Sequence, residues 1–125
     1  MYVGTNSRGD RPKIRYIPDI VAVFGADGAL RYASPSLEQV LDYEPEDLVG
    51  RVLLGLLHPD DIERAATTFM QIRTNPGSSQ PVEVRARHAD GSWRYLEGVV
   101  NNLLDDPGVE GIVVAFRDVL SLIHI

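Results

Sequence analysis

Between Pro81 and Asp118 the chain reads Val82-Glu-Val-Arg-Ala-Arg-His88, then Ala89-Asp-Gly-Ser92, then Trp93-Arg-Tyr-Leu-Glu-Gly-Val-Val100. A second turn, Asp105-Asp-Pro-Gly108, leads into Gly111-Ile-Val-Val-Ala-Phe116. Asp-Gly between two runs of strand-forming residues is a strong hairpin signal, because Asp and Gly tolerate the positive φ angles of a tight turn. Pro and Gly favour a turn at the second position as well. The stretch therefore predicts a meander of antiparallel strands connected by short turns.

The last strand of this meander is apolar at every position from Ile112 to Phe116. A run that is apolar on both faces predicts a central strand that is covered on both sides. In the first strand, Val82, Val84 and Ala86 alternate with charged residues. The apolar set is therefore predicted to face the helices and the charged set to face outward.

The facing of the second strand depends on the length of the hairpin loop. A two-residue loop at Asp90-Gly91 would place Ala86 opposite Tyr95, whereas a three-residue loop would reverse the facing of every residue that follows. The sequence therefore leaves open whether Tyr95 or Leu96 lines the interior.

Upstream of the meander, the chain predicts a second hairpin and the start of a helix. Asp19 to Phe24 and Ala29 to Ala33 are strand-forming runs on either side of the turn Ala26-Asp-Gly28. Ser34-Pro35 is typical of a helix start, with Ser34 as the N-cap and Pro35 at the first helical position.

Two further helices are predicted between this hairpin and the meander. Glu44-Pro45 begins a short helical turn that Gly50 is placed to end. His58-Pro59-Asp60-Asp61 opens the longest helix, because Pro suits the first position and the acidic residues oppose the positive end of the helix dipole. One apolar stripe then follows the helix, comprising Ile62, Ala65, Ala66, Phe69 and Met70,. Asn75-Pro-Gly77 terminates the helix.

These elements together predict an α+β fold. Five antiparallel strands would form one sheet, with several short helices and one longer helix packed on one face. We expect residues 1–17 to be a flexible N-terminal segment and residues 18–119 to be the folded domain. Residues 120–125 are expected to be a linker to another domain or a non-native tail.

The bulk composition excludes several classes of function. The 125 residues carry a formal net charge of −6, which argues against a surface for nucleic acid or anionic membranes,. The chain has no cysteine, which excludes disulfides, thiolate metal sites and cysteine nucleophiles,. No apolar run approaches the length of a membrane span or a signal peptide. The composition is typical of a soluble, cytoplasmic protein or of a soluble part of a longer one.

Several short motifs, in this order and spacing, resemble those of a PAS domain, the small sensor module of bacterial signalling proteins. The resemblance covers about Pro18 to Val119. The matching motifs are Pro18-Asp19, Asp27-Gly28, Tyr32 before Ser34-Pro35, Tyr43-Glu-Pro-Glu-Asp-Leu-Val-Gly50, His58-Pro59-Asp60-Asp61, Asp90-Gly-Ser-Trp-Arg94 and Arg117-Asp118-Val119. The family usually has Asn, Gly and Thr where Ser34, Asp42 and Leu120 stand. The resemblance implies a non-enzymatic sensor attached to an effector such as a histidine kinase, a nucleotide cyclase, or a phosphatase or kinase that regulates stress sigma factors.

Several residues could take part in catalysis or in cofactor binding, but each of them also has a structural explanation. His58 with Asp60 and Asp61 could form a catalytic or metal cluster, but helix capping explains the same residues, and we predict no catalytic or metal residues. Because some relatives bind haem, Met70 and His88 could be axial ligands, although a core methionine and a strand-end histidine explain them too. The flavin photochemistry of the family's light-sensing branch needs a cysteine. Asn101 or Asn102 could still bind a non-covalent flavin, but only one of them can point inward.

The long helix and the sheet are predicted to enclose a cavity for an apolar ligand. Two small residues, Ala65 and Ala66, interrupt the larger side chains of the helix stripe and leave room there. The predicted lining comprises Leu54, Leu57, Ala66, Phe69, Met70, Val84, Val114 and Phe116, with Tyr32 and Leu41 closing one end. A lipid-like molecule such as a fatty acid is favoured by burial alone, and its carboxylate could pair with Arg73 at the mouth. The alternative, a core packed solid by the same side chains, stays open at this point.

A homodimer is the predicted assembly. A central strand that is apolar on both faces needs a packing partner on each face, and the helices pack on only one of them. The outer sheet face is therefore expected to pair with a second copy, together with the apolar segment Ile14 to Ile17. A dimerisation module with no ligand is the alternative function.

Overall fold

A computed structural model of the protein describes residues 19–119. The expected flexible segment 1–17, with its apolar Ile14 to Ile17, and the expected linker 120–125 lie outside the described residues. The described elements are β1 (Ile20–Phe24), β2 (Leu30–Ala33), α1 (Ser36–Leu41), α2 (Pro45–Leu48), a 3₁₀ helix (Leu53–Leu56), α3 (Pro59–Arg73), β3 (Ser79–Arg87), β4 (Trp93–Leu103) and β5 (Gly111–Asp118). Within this part of the chain, no helix has both the length and the apolar character of a membrane span.

The strands form one antiparallel sheet in the order β2-β1-β5-β4-β3, so the predicted fold and the central place of the last strand are confirmed. The inner face of β5 carries Ile112, Val114 and Phe116, and Ile112 has no exposed surface. The described helices pack on this inner face, where the buried core lies. The outer face carries Val113 and Ala115 of the same strand.

The β3–β4 hairpin settles the facing of β4. The His88 amide donates to the Ser92 carbonyl oxygen (2.7 Å), and Arg87 lies opposite Trp93. The loop therefore has three residues, 89–91, and Gly91 adopts a φ of 94° in it. With this loop length, Leu96 points inward and is buried, whereas Tyr95 points outward and is 41% exposed.

The start of α1 corrects the prediction that Ser34 is its N-cap. The N-cap is Pro35, and no side chain caps the helix. The Ser34 hydroxyl accepts instead from the Val21 amide (2.9 Å) and shares a hydrogen with the Ser36 hydroxyl (2.7 Å). Ser36 in turn donates to the Asp19 carbonyl oxygen. Both hydroxyls therefore connect the start of α1 to β1 and the residue before it. The Ser34 hydroxyl bonds to this distant strand and not to the first turn of its own helix.

Helix α3 is anchored at both of its ends. At the first turn, His58 Nδ1 accepts from the Asp60 amide (3.1 Å), and Pro59 occupies the first helical position as predicted. At the last turn, the buried Asn102 side chain of β4 donates to the carbonyl oxygens of Ile72 (2.6 Å) and Arg73 (3.2 Å). Asn102 thus satisfies carbonyl groups that the end of a helix leaves without an intrahelical partner.

Asp61 joins α3 to the edge strand β3, a role that the helix dipole alone did not predict. Its carboxylate is 3% exposed and accepts from the Arg85 amide (2.8 Å), from Arg85 Nε (3.0 Å) and from an Arg85 terminal nitrogen (2.8 Å). The hydrogen bonds from the Arg85 guanidinium lower the pKa of the Asp61 carboxyl from 3.8 to about 2. This contact also occupies an amide on the open edge of the sheet, which would otherwise be free to pair with another strand.

Candidate functional site

A cavity of about 320 Å³ lies between α3, the 3₁₀ helix and the inner face of the sheet. Its size falls within the range of small-molecule sites. The cavity brings together all the predicted lining residues except one. Those it contains are Leu41, Leu54, Leu57, Ala66, Phe69, Met70, Arg73, Val84, Val114 and Phe116.

Tyr32 is the exception, and its predicted place at the end of the cavity is wrong. Its side chain is 51% exposed, and its partner in the sheet is Val23, which faces outward. The pairing of β1 with β2 shifts register between Val23 and Phe24, so Phe24 lies opposite Leu30. This bulge places two consecutive side chains, Arg31 and Tyr32, at the surface, whereas strict alternation would have put Tyr32 on the same face as Leu30.

The sequence interpretation missed the walls contributed by β1 and β4, and it named only Leu41 from α1. Alternate residues of β1 line the cavity, as do residues of the helices that follow it and inner-face residues of β4. These additional apolar residues include Ile20, Ala22, Phe24, Leu30, Leu37, Leu48, Val82, Ala86, Leu96 and Val100. β1 is apolar at every position from Ile20 to Phe24, and this continuous run was the signal that could have found part of the wall, because every second residue of a strand shares one face,.

Polar side chains lie at one end of the cavity, which we call the mouth. The mouth is formed by Asp27 and Gly28 in the β1–β2 turn and by Arg73 at the end of α3, which donates to this turn. Among the described residues that line the cavity, the remaining side chains are apolar except for Thr68. Met70, which is 50% exposed, borders the same half of the helix. The site can therefore bury an apolar body and leave a polar group near solvent.

Two aromatic rings pack near the mouth. Phe24, the last residue of β1, meets Phe69 of α3 edge to face, with ring centroids 6.4 Å apart. Gly28 lies beside the same ring: a Cβ atom at Gly28 would be 3.9 Å from Phe69 Cε2. Gly28 also adopts a φ of 87°, which favours glycine,. The turn therefore approaches α3 closely at this point.

The residues present do not fit haem or flavin. Met70 lines the cavity, but His88 does not, and His88 Nδ1 accepts from the Asp90 amide (3.0 Å) in the hairpin loop. Asn102 points inward, but its amide is committed to the end of α3, and its oxygen accepts from the Leu104 amide (2.9 Å). Asn101 lies opposite Val113 on the outer face. The described residues that line the cavity therefore include no histidine for haem and no asparagine that is free to bind a flavin.

The acidic cluster at the start of α3 is organised as a helix terminus. His58 caps the helix, and its ring contacts that of Trp93 at an interplanar angle of 51°, with centroids 4.8 Å apart. Asp61 points away to Arg85, and Asp60 is exposed. Within residues 19–119, no group of three or more His, Cys, Asp or Glu side chains is arranged to hold a metal ion.

Known proteins share both the sequence pattern and the fold. The blue light receptor lreA of Aspergillus flavus is 32% identical over an alignment of 95 residues, which covers 70% of this chain but 11% of that protein. The PAS domain of a Colwellia psychrerythraea protein superposes with a TM-score of 0.69 at 22% identity, covering 81% of this chain and 86% of that chain. The N-terminal domain of a diguanylate cyclase with PAS/PAC sensor from Marinobacter aquaeolei gives a TM-score of 0.68 at 23% identity, covering 86% and 100%.

The family model for the PAS fold matches residues 30–117, which include β2 to β5 and most of the cavity wall. The chain therefore belongs to the PAS fold family.

Proposed function

We propose that this PAS domain is a cytoplasmic sensor module that binds a small apolar molecule, such as a fatty acid, in the cavity and controls an attached effector. The observation that supports the proposal is the distribution of polarity: apolar side chains line the cavity, and charged side chains occur at its mouth. Each methylene group buried there contributes about 0.8 kcal/mol. Binding, not catalysis, is the chemistry that such a lining supports.

The polar mouth gives the ligand an orientation. An acyl chain would extend toward the end formed by Leu41, Ala86 and Leu96, and its head group would stay near Arg73. Arg73 is the one cation among the described residues that line the cavity,. A carboxylate is the head group that this cation would favour.

The class of effector is proposed from the family. The Marinobacter neighbour is described as a domain of a diguanylate cyclase, which supports a cyclase as the effector. A kinase or a phosphatase that regulates stress sigma factors is proposed from the family resemblance alone. The light response of the Aspergillus relative is not carried over. This chain has no cysteine for a flavin adduct, and its inward asparagine is committed to α3.

Replacing Ala66 with phenylalanine is expected to abolish ligand binding and leave the fold intact. Ala66 lines the cavity, so a phenyl ring there would occupy the space proposed for the acyl chain. We expect the parent protein to bind one dodecanoic acid per chain by calorimetry, and the variant to bind at least about tenfold more weakly, which corresponds to about 1.4 kcal/mol.

The matched control is Ala89→Phe, which places the same ring on an exposed residue of the hairpin loop. It should bind dodecanoic acid like the parent. The opposite result would be that Ala66→Phe lowers the free energy of unfolding by about 1–3 kcal/mol and that no lipid is recovered from the parent protein. The core would then be packed solid. Mass spectrometry of the native protein would then find no ligand, and the sensor proposal would be wrong.

We also propose that the protein is a homodimer through its outer sheet face. This face presents apolar side chains at neighbouring positions of three strands, and Val99 of β4 is 42% exposed. The members of the outer sheet face are Val21, Val23, Val99, Val113 and Ala115. An exposed apolar surface of this kind is typical of an association site.

Val99→Lys is expected to shift the protein from dimer to monomer in light scattering, because a buried unpaired ammonium group is costly. Val49→Lys is the control, since Val49 is 46% exposed but follows α2, away from the outer sheet face. Removal of residues 1–17 tests whether the preceding segment takes part. A parent protein that is monomeric at high concentration, with and without that segment, would refute the dimer.

A further inference from the structure

One hydrogen bond crosses the mouth of the cavity. Arg73 Nη1, at the end of α3, donates to the Ala26 carbonyl oxygen in the β1–β2 turn (3.2 Å). The two residues are 47 positions apart in the chain. Arg73 and Asp27, which follows Ala26, both line the cavity. The proposed ligand head group would therefore bind beside this hydrogen bond.

The backbone beneath Arg73 is fixed. The Asn102 side chain, which is 1% exposed, donates to the Arg73 carbonyl oxygen and to the carbonyl oxygen before it. The Arg73 side chain is long and partly exposed, and its guanidinium lies far from this fixed backbone. It can therefore change partners by rotation of its side chain, without movement of the helix.

The β1–β2 turn, on the other side of the mouth, is held together by its own hydrogen bonds. The Gly25 amide donates to the Ala29 carbonyl oxygen (3.0 Å), and the Gly28 amide donates to the Gly25 carbonyl oxygen (2.9 Å). Asp27 accepts from the Ala29 amide (3.0 Å). The contact to Arg73 holds this turn against α3, so its loss would let the bonds within the turn open more often.

We propose that Arg73 is a clasp that an acidic ligand head group opens. The guanidinium exchanges the neutral Ala26 carbonyl for the ligand carboxylate, with which it forms a stronger, charge-assisted pair. The arriving negative charge also repels Asp27 in the same turn, and both effects separate the turn from α3. The clasp rests on the proposed ligand site, and it converts the charge of the head group into a movement of the N-terminal hairpin.

Amide hydrogen exchange of Gly25, Gly28 and Ala29, measured by NMR, tests the clasp. Dodecanoic acid is expected to increase exchange of these amides about tenfold, which corresponds to the net strength of one hydrogen bond to a charged group. Dodecan-1-ol has the same chain without the charge, so it should fill the cavity and leave exchange of the turn unchanged.

Arg73→Met removes the donors and keeps the length of the side chain. In this variant the turn should exchange rapidly without any ligand, and dodecanoic acid should cause no further increase. Arg51→Met is the control: Arg51 is exposed, it contacts Asp47 of α2, and it does not line the cavity. It should behave like the parent protein.

The outcomes separate the clasp from the ligand site. If dodecanoic acid binds but exchange of the turn does not change, or if the alcohol increases it equally, the clasp is wrong and the ligand site stands. If Arg73→Met leaves exchange of the free protein unchanged, the clasp is likewise wrong. If neither dodecanoic acid nor dodecan-1-ol binds the parent, the ligand site fails, and the clasp fails with it.

Discussion

Gly98→Ala is expected to lower the free energy of unfolding by about 3 kcal/mol or more, at the upper end of what overpacking costs. Gly98 lies in β4 on the inner face, between Val82 and Phe116. A Cβ atom there would lie 1.9 Å from the Ala115 carbonyl oxygen and 2.9 Å from the Phe116 Cα atom. These are backbone atoms of the central strand, which β1 holds from its other side, so β5 has no room to retreat.

Urea denaturation of Gly98→Ala beside Gly55→Ala would measure this effect. Gly55 in the 3₁₀ helix has no heavy atom within 4 Å of an added Cβ, and its φ is not positive, so its substitution should be neutral or slightly stabilising,. Equal stabilities of the two variants would show that β4 and β5 do not approach as closely at Gly98 as described. The prediction also concerns the site, because both neighbours of Gly98 line the cavity.

Periodic patterns were sufficient to predict most of the candidate site. Alternation along β3 assigned Val84 to the interior, and helical spacing along α3 assigned Ala66, Phe69 and Met70 to one face. Both patterns follow from the geometry of a single element, so they need no knowledge of the partner. The central place of β5 was predictable for the same reason, because its apolar run reports burial on both faces.

Tyr32 shows where this reasoning stops. Residues in a strand alternate only while the pairing stays regular, and one extra residue moves every later side chain to the other face. The irregularity between Val23 and Phe24 depends on how β2 meets β1. It therefore belongs to the pair of strands, and the sequence of β2 alone does not contain it.

Long-range polar partners were also beyond the sequence. Ser34 looked like a helix cap, but its hydroxyl binds β1, 13 residues away. Asn102 looked like a possible cofactor ligand, but it closes the end of α3, 30 residues away. Asp61 matched the helix dipole, and yet its main partner is Arg85, 24 residues away. Each residue type has several suitable partners, and only the folded chain selects one.

The Asp61 contact gives the second large effect that we expect. Asp61→Asn should lower the free energy of unfolding by about 2 kcal/mol at pH 7, because it removes a carboxylate whose pKa the hydrogen bonds from Arg85 lower to about 2,. The substitution keeps the size of the side chain and removes the attraction to Arg85. The neighbouring Asp60→Asn is the control: Asp60 is 78% exposed, so only its weaker interaction with the helix dipole, about 0.3–1 kcal/mol, is lost,.

The pH dependence of the same pair distinguishes the ion pair from simple packing. The folded pKa of Asp61 is lowered from 3.8 to about 2, so its contribution is complete above pH 3.8 and is lost as the pH falls through 2. Protonation of the parent makes its side chain neutral, like that of the asparagine variant. The difference in unfolding free energy between parent and Asp61→Asn, measured in urea from pH 7 to pH 2, should therefore shrink toward zero at the acid end. A difference that stays constant over this range would mean that the charge of Asp61 does not stabilise the contact between α3 and β3.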